Sequence, residues 1–308
     1  MKLENLIFDF DVFASKMADL KDKQHFDYLI TIVGEDFGEE GLGCVYLLEN
    51  TESHKRVSVK ILARTQTCGD NIASNGRGET DGMTMSYIPT VSHLWKGANL
   101  LEREVYDFLG IVFLGHPDMR RLFLRNDFQG YPLRKDFKAT DAYTLEDDEE
   151  PDYGLEYFID KNGYLQSKQN RLFTDDDYVV NIGPQHPSTH GVLRLQTVLN
   201  GETVKRIYPH LGYIHRGIEK MWESMTYPQT LALTDRLNYL CAMQQRHALV
   251  GVIEEAMGVE LTDRIKYIRT IMDELQRIDS HLLFTSCCAQ DLGALTAFLM
   301  VCATANMC

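Results

Sequence analysis

The chain has 308 residues, of which 44% are hydrophobic and 25% charged, and its formal net charge is −14. That length suits two domains with cores of their own, and the acidity argues against nucleic acid or an anionic membrane surface as a direct partner. Seven cysteines (44, 68, 241, 287, 288, 302 and 308) include no C-x-x-C pair, so local spacing offers neither a zinc site nor a cysteine-ligated iron–sulfur cluster, and reduced thiols in a cytoplasmic setting are expected.

The first residues do not form the apolar core of a signal peptide, because Asp9, Asp11 and Asp19 interrupt it. Residues 11–20 have weak helical spacing in Val12, Ala18 and Leu20. Residues 44–49 and 55–62 read as paired strands around a polar turn at 50–54, and 87–91 as a further strand. Residues 68–82 are rich in Gly, Asn and Thr and are expected to form an exposed loop, whose Gly76-Arg-Gly78 is too short for a phosphate cradle. The glycines of 38–43 do not open a helix as a dinucleotide fingerprint must. Residues 98–109 predict a helix with Leu100, Leu101, Val105, Phe108 and Leu109 on one side, and the charges of Glu102-Arg-Glu-Val-Tyr-Asp107 predict a solvated or salt-bridged face. Gly- and Pro-rich chain follows over 110–121 and 126–137, beside Arg120, Arg121, Arg134 and Lys135. It reads as irregular but ordered and held by ion pairs, with no nucleophile–base constellation.

Residues 102–137 carry E-R-E-x-x-D-x-x-G-I-x-F-x-G-H-P-D-x-R-R and then D-F-x-G-x-P-L-R-K-D-F. This long pattern resembles the C subunit of proton-pumping NADH:quinone oxidoreductase, respiratory complex I. The resemblance implies a structural brace in the peripheral arm without a redox centre of its own.

Residues 139–177 change character. Glu146-Asp-Asp-Glu-Glu150 and Asp175-Asp-Asp177 bracket a polar segment, read as an acidic linker with a short ordered piece around 157–165. Beyond it, 178–182 and 192–199 read as strands, and Asn200-Gly201 turns the chain into a third strand over 203–208. Between the first two, Gly183, Pro184, Pro187 and Gly191 constrain a loop holding His186 and His190. Such a loop either aims an imidazole at a ligand or lets its histidines satisfy local backbone groups. Helices are predicted over 210–225, 234–257 (stopped by Gly258), 262–288 (capped at Thr262) and 292–306. The third carries an apolar stripe of Ile265, Ile268, Ile271, Met272 and Leu275, and the fourth reads as a core helix too short for a comfortable membrane span.

Residues 179–299 resemble the D subunit of the same complex through G-P-Q-H-P-S-T-H-G at 183–191, P-H-L-G-Y-I-H-R-G-I-E-K at 209–220, T-D-R-L-N-Y at 234–239 and D-L-G-A at 291–294. Both modules in one chain look like a fused C/D subunit. The implied fold class is α+β: a C-like domain over 1–138, the linker over 139–177, and over 178–308 the first part of a D-like domain, a β-hairpin leading into a hydrogenase-large-subunit-like helical bundle. The resemblance implies a quinone head-group site. His190 and Tyr239 match residues that bond the quinone carbonyls, Asp291 one that accepts from the histidine, and Arg236 one near the terminal iron–sulfur cluster. His186, Pro187, Ser188, Thr189 and Gly191 complete the loop. No metal or cofactor is expected on this chain. Quinone is the expected substrate, flavin and iron–sulfur clusters belong to partner subunits, and the chain is expected to lie peripherally on the cytoplasmic face of the inner membrane.

Without the resemblance, Tyr239 reads as a core tyrosine and Asp291 as a helix N-cap. A membrane-bound nickel–iron hydrogenase large subunit is a rival reading, but Cys241 stands alone there and Asn238 occupies the position of a second thiolate. A non-catalytic scaffold or fragment is a further reading, in which the last two helices expose apolar faces.

Overall fold

The computed structural model describes residues 4–67, 84–124, 128, 130–138, 155–159, 165–169, 177–186 and 191–305. The expected exposed loop over 68–82 therefore lies outside the described residues. The chain is mixed α+β and separates into two compact units. The first comprises the described parts of Met1–Pro184 with Leu193–His215, and the second Gln185–Val192 with Arg216–Cys308. The hairpin expected to open the second module is thus grouped with the first.

In the first unit, β1 (Glu4–Ile7), α1 (Phe10–Asp22), β2 (Tyr28–Asp36), β3 (Leu42–Glu49) and β4 (Arg56–Leu62) build a sheet of order β1-β4-β3-β2. β1 runs parallel to β4, and the other pairs are antiparallel. Strand alternation selects the core: Cys44 pairs with Ile61, Tyr46 with Val59 and Leu48 with Val57, and all six are buried. α1 lays Phe13, Met17 and Leu20 on this face, whereas Val12, expected on the buried side, is exposed.

A second sheet joins β5 (Arg64–Thr67), β6 (Thr84–Pro89) and β7 (Ile111–Leu114), with α2 (Ala98–Leu109) crossing from β6 to its parallel neighbour β7. Residues 111–114, expected to be irregular chain, thus form a strand. Four consecutive apolar residues are too few to show a period, yet Ile111, Val112 and Phe113 are wholly buried. Within the segment expected as a linker, β8 (Leu155–Ile159) and β9 (Leu165–Gln169) pair antiparallel.

β10 (Tyr178–Ile182) is followed by the short strands β11 (Gln185–His186) and β12 (Gly191–Val192), which pair with each other. β13 (Arg194–Asn200) and β14 (Thr203–His210) then complete a three-stranded sheet of order β10-β13-β14.

The predicted helix over 210–225 does not form as one piece. β14 runs through His210, and Gly212 lies so close to the carbonyl of Phe123 that any Cβ there would collide with it. A 3₁₀ turn over Gly212–Ile214 follows, and the one α-helical piece described within 210–225 is α3 (Ile218–Trp222), after Gly217 turns the chain at φ +61°. α4 (Tyr227–Thr230) follows, opened by a capping box between Thr226 and Gln229. The predicted helix over 234–257 is likewise divided. Two 3₁₀ turns, Thr234–Arg236 and Tyr239–Cys241, precede α5 (Ala242–Met257), because Asn238 is extended at φ −149°. Gly258 ends α5 in the left-handed region, as expected.

α6 (Asp263–Asp291) is longer than predicted and includes Asp291 as its last residue. Asp291 is therefore no N-cap; Leu292 and Gly293 make the turn into α7 (Leu295–Ala305). The helix expected in the core is open to solvent, with Leu295, Leu299 and Met300 more than half exposed.

Candidate functional site

The charged motif of α2 is not a solvated face. Glu102 and Asp107 are completely buried and Arg103 nearly so. Asp107 acts as a hub. Its Oδ2 accepts from the backbone N–H groups of Leu122 (3.0 Å), Phe123 (2.7 Å) and Leu124 (2.9 Å), and its Oδ1 accepts from Arg121 Nη1 (2.9 Å). Arg121 also donates to the carbonyls of Phe128 and Gly130, while Arg103 donates to those of Arg120 and Arg121. The motif thus seats the irregular chain after β7 on α2 by satisfying its backbone, as a buried charge cluster must.

Glu102 is different because, among the described residues, no cation meets it at hydrogen-bond distance. It accepts from Thr90 Oγ1 (2.5 Å) and Val91 N (2.7 Å), and His116 Nε2 stands 3.8 Å away. His116 Nδ1 accepts from Asp118 N, leaving Nε2 to donate to Asn99 O at 3.1 Å, and burial pushes the imidazole pKa down. The ring is therefore neutral. Burial pushes Glu102 up to about 7, against the opposing pull of its two hydrogen bonds.

Phe123, placed by Asp107, stacks with Phe108 (5.7 Å between centroids) and with His215 (5.1 Å), and His215 also stacks on Phe108 (4.9 Å). Arg120 lies 4.7 Å over the ring of Tyr208 on β14.

Of the residues expected at a quinone site, Pro187, Ser188, Thr189 and His190 lie outside the described residues. Their loop is closed by the two rungs of β11 and β12, Gln185↔Val192 and His186↔Gly191. Before it, Gly183 at φ +93° has no room for a Cβ against Leu193's carbonyl, which explains the glycine. In the second unit Tyr239 opens its 3₁₀ turn and is 65% exposed, so it is not the core tyrosine expected without the resemblance. Arg236 ends the preceding 3₁₀ turn and is exposed.

Asn238 Oδ1 accepts from Leu240 N (3.1 Å), and Gln276 Nε2 of α6 donates to Leu240 O (3.2 Å). Tyr239's turn therefore meets α6 near its middle. Asp291 lies at the exposed C-terminal end of that helix, about 22 Å along the axis from Gln276 at the usual helical rise. α5 is pinned to α6 by His247 Nδ1 and Asp273 Oδ2 at 2.6 Å and by the bidentate pair of Arg269 with Glu254 at 2.7 Å. None of these partners has a signal in sequence, since each joins residues distant along the chain. Among the described residues no group of His, Cys, Asp and Glu could hold a metal ion, and no helix is long and apolar enough to cross a membrane. Of the cysteines, Cys44 is fully buried, and burial pushes its thiol pKa well up.

The first module is of a known class: residues 9–143 match the family described as the respiratory-chain NADH dehydrogenase 30 Kd subunit. Over 92% of its length the chain is 52% identical to the C/D subunit of NADH-quinone oxidoreductase from Phocaeicola vulgatus, and 52% identical over the same share to that of Bacteroides fragilis. It is 36% identical over 91% of its length to the C/D 2 subunit from Aquifex aeolicus. The chain is thus a homologue of fused C/D subunits, and it spans about half the length of the curated relatives it matches, 51%, 52% and 47% of these three.

Proposed function

We propose that the chain serves as a peripheral-arm subunit of an NADH:quinone oxidoreductase and that its second module supplies part of the quinone head-group site. The observation that carries this reading is the 52% identity to a fused C/D subunit across 92% of the chain, so that one relative accounts for both modules. Residues 139–177 serve as the connection between them, and 178–308 as the first part of a hydrogenase-large-subunit-like domain. The partners are the other subunits of the complex, above all the one holding the terminal iron–sulfur cluster and those of the membrane arm. Flavin and clusters reside on those partners, and the chain sits peripherally on the cytoplasmic face of a bacterial inner membrane.

Reducing a quinone adds two electrons and two protons, and negative charge develops on its carbonyl oxygens. In this proposal Tyr239 donates to one oxygen and His190 to the other, and each bond strengthens as the charge grows. Asp291 accepts from His190, orienting the ring and favouring its protonated form. The exposed ring of Tyr239 supports the reading, since it is open to a ligand. Arg236 faces the electron-donating cluster, and His186, Pro187, Ser188, Thr189 and Gly191 shape the loop.

Single replacement of His190 by Ala and of Tyr239 by Phe in the assembled complex tests this. Quinone reduction should fall at least tenfold, while electron transfer to an artificial acceptor that bypasses the site stays unchanged. Retained quinone reduction in both variants would remove the proposed roles.

A further inference from the structure

We propose that Gln276 of α6 is a positioning residue for Tyr239, acting through the backbone of the turn that carries it; this rests on the reading of Tyr239 as a quinone-facing phenol. A tyrosine that is 65% exposed has little packing to fix its ring's direction, so its aim is inherited from the main chain. The main chain here is a single 3₁₀ turn between an extended residue and α5, a conformation with one internal bond, Cys241 N to Asn238 O at 3.1 Å. Both polar groups of Leu240 are held by side chains instead. The N–H belongs to the peptide that leaves Tyr239, and Asn238 Oδ1 accepts from it at 3.1 Å. The carbonyl accepts from Gln276 Nε2 at 3.2 Å, across from the middle of α6.

Asn238 is local to the turn and moves with it. Gln276 is not: it ties the turn to the helix that ends in Asp291, so the phenol and the carboxylate are referenced to one rigid element. Around this contact, Gln245 Nε2 lies 3.6 Å from Cys241 Sγ, and Gln244 Nε2 donates to Asp273 O at 3.1 Å. Gln276 is thus one of three glutamines at the junction of α5, α6 and the turn, and the one of the three that bonds beside Tyr239.

The test is made in the assembled oxidoreductase containing this chain, with Gln276→Met, Gln276→Glu and Gln276→Lys. Methionine keeps the length and removes the donor, glutamate keeps the shape and opposes the carbonyl, and lysine restores a donor of similar reach. The expected result is a five- to tenfold loss of kcat for quinone reduction in the Met and Glu variants, with KM for quinone within twofold. A bond that grows in the transition state is what a misaimed phenol loses. Lysine should recover kcat to within twofold, and artificial-acceptor activity should be unchanged in all three, which confirms assembly. Where one variant fails to assemble, the other donor-free variant carries the comparison with lysine. Unchanged kcat in the donor-free variants, or equal loss in the lysine variant, overturns the proposal. Tyr239→Phe run in parallel separates the two ideas. If it impairs quinone reduction while Gln276→Met does not, the positioning role fails alone; if it has no effect, the reading of Tyr239 fails with it.

Discussion

On α2, Glu102, Arg103 and Asp107 are buried among apolar neighbours, whereas on α6 Ile265, Ile268, Ile271, Met272 and Leu275 are each more than a third exposed. Both helices show a regular pattern, but these charges of α2 are enclosed, Arg103 and Asp107 in ion pairs, while the apolar stripe of α6 is open. Periodicity says which side chains share a face; it does not say what covers that face. α2 lies between two parallel strands and under the chain that follows, so its charges are enclosed and each finds a partner. α6 rests on α5 and α7 and presents the rest of its stripe to water.

The contrast breaks most visibly at Asp107. Replacing it with alanine takes the carboxylate from Arg121 and strands three backbone N–H groups, and a loss on the order of 3–5 kcal/mol is expected in the first unit. Trp95 is buried there and Trp222 lies in the second unit, so urea unfolding in a Trp222→Phe background reads the first unit alone. A midpoint unchanged from the parent would show that the hub is dispensable.

Glu102 gives the next effect, and its sign is fixed by its raised pKa. The unfolded chain releases this proton in the ordinary carboxylate range, the folded unit at about 7. The stabilisation is therefore complete below the ordinary range and is lost as pH rises through about 7, a swing on the order of 3 kcal/mol. Glu102→Gln keeps a neutral group that can accept from Val91 N and donate to Thr90 Oγ1. It should flatten the stability profile of the first unit across that window, and a profile as steep as the parent's would place the titration elsewhere.

The exposed stripe should respond in the opposite way. Ile268→Lys with Ile271→Glu changes folding stability by no more than about 0.5 kcal/mol per site, because neither side chain is enclosed. Binding of a hydrophobic dye and aggregation should nevertheless fall clearly. A large loss of stability would mean that the stripe is covered in solution. Smallest of all is Glu254→Gln. Its bond to Arg269 holds the carboxyl below its usual range, so the pair contributes above that range and fades on acidification. The expected change is a slight drop in melting midpoint that disappears in high salt.

Much of the fold was legible from the chain itself. The strand pair around residues 50–54, the helix ending at Gly110, and the turn at Asn200-Gly201 follow from alternation, spacing and glycine chemistry. The divided helices over 210–225 and 234–257 were not: Gly212 breaks the first by contact with Phe123, far away in sequence, and Asn238 breaks the second by a local bond to Leu240 N that apolar spacing does not register. At the candidate site, Tyr239, Arg236 and Asp291 were picked out by resemblance alone. The carbonyl bond from Gln276 had no trace in spacing, because it joins residues that meet only after α6 has folded.

The triple stack of Phe108, Phe123 and His215 has a consequence for how the polypeptide tolerates breakage. These rings adhere without help from the peptide bonds in between, and Arg120 over Tyr208 adds a second anchor. A protease nick introduced between residues 139 and 154 should leave two pieces that still migrate together through gel filtration. Replacing Phe123 and His215 by alanine in the nicked form should release them.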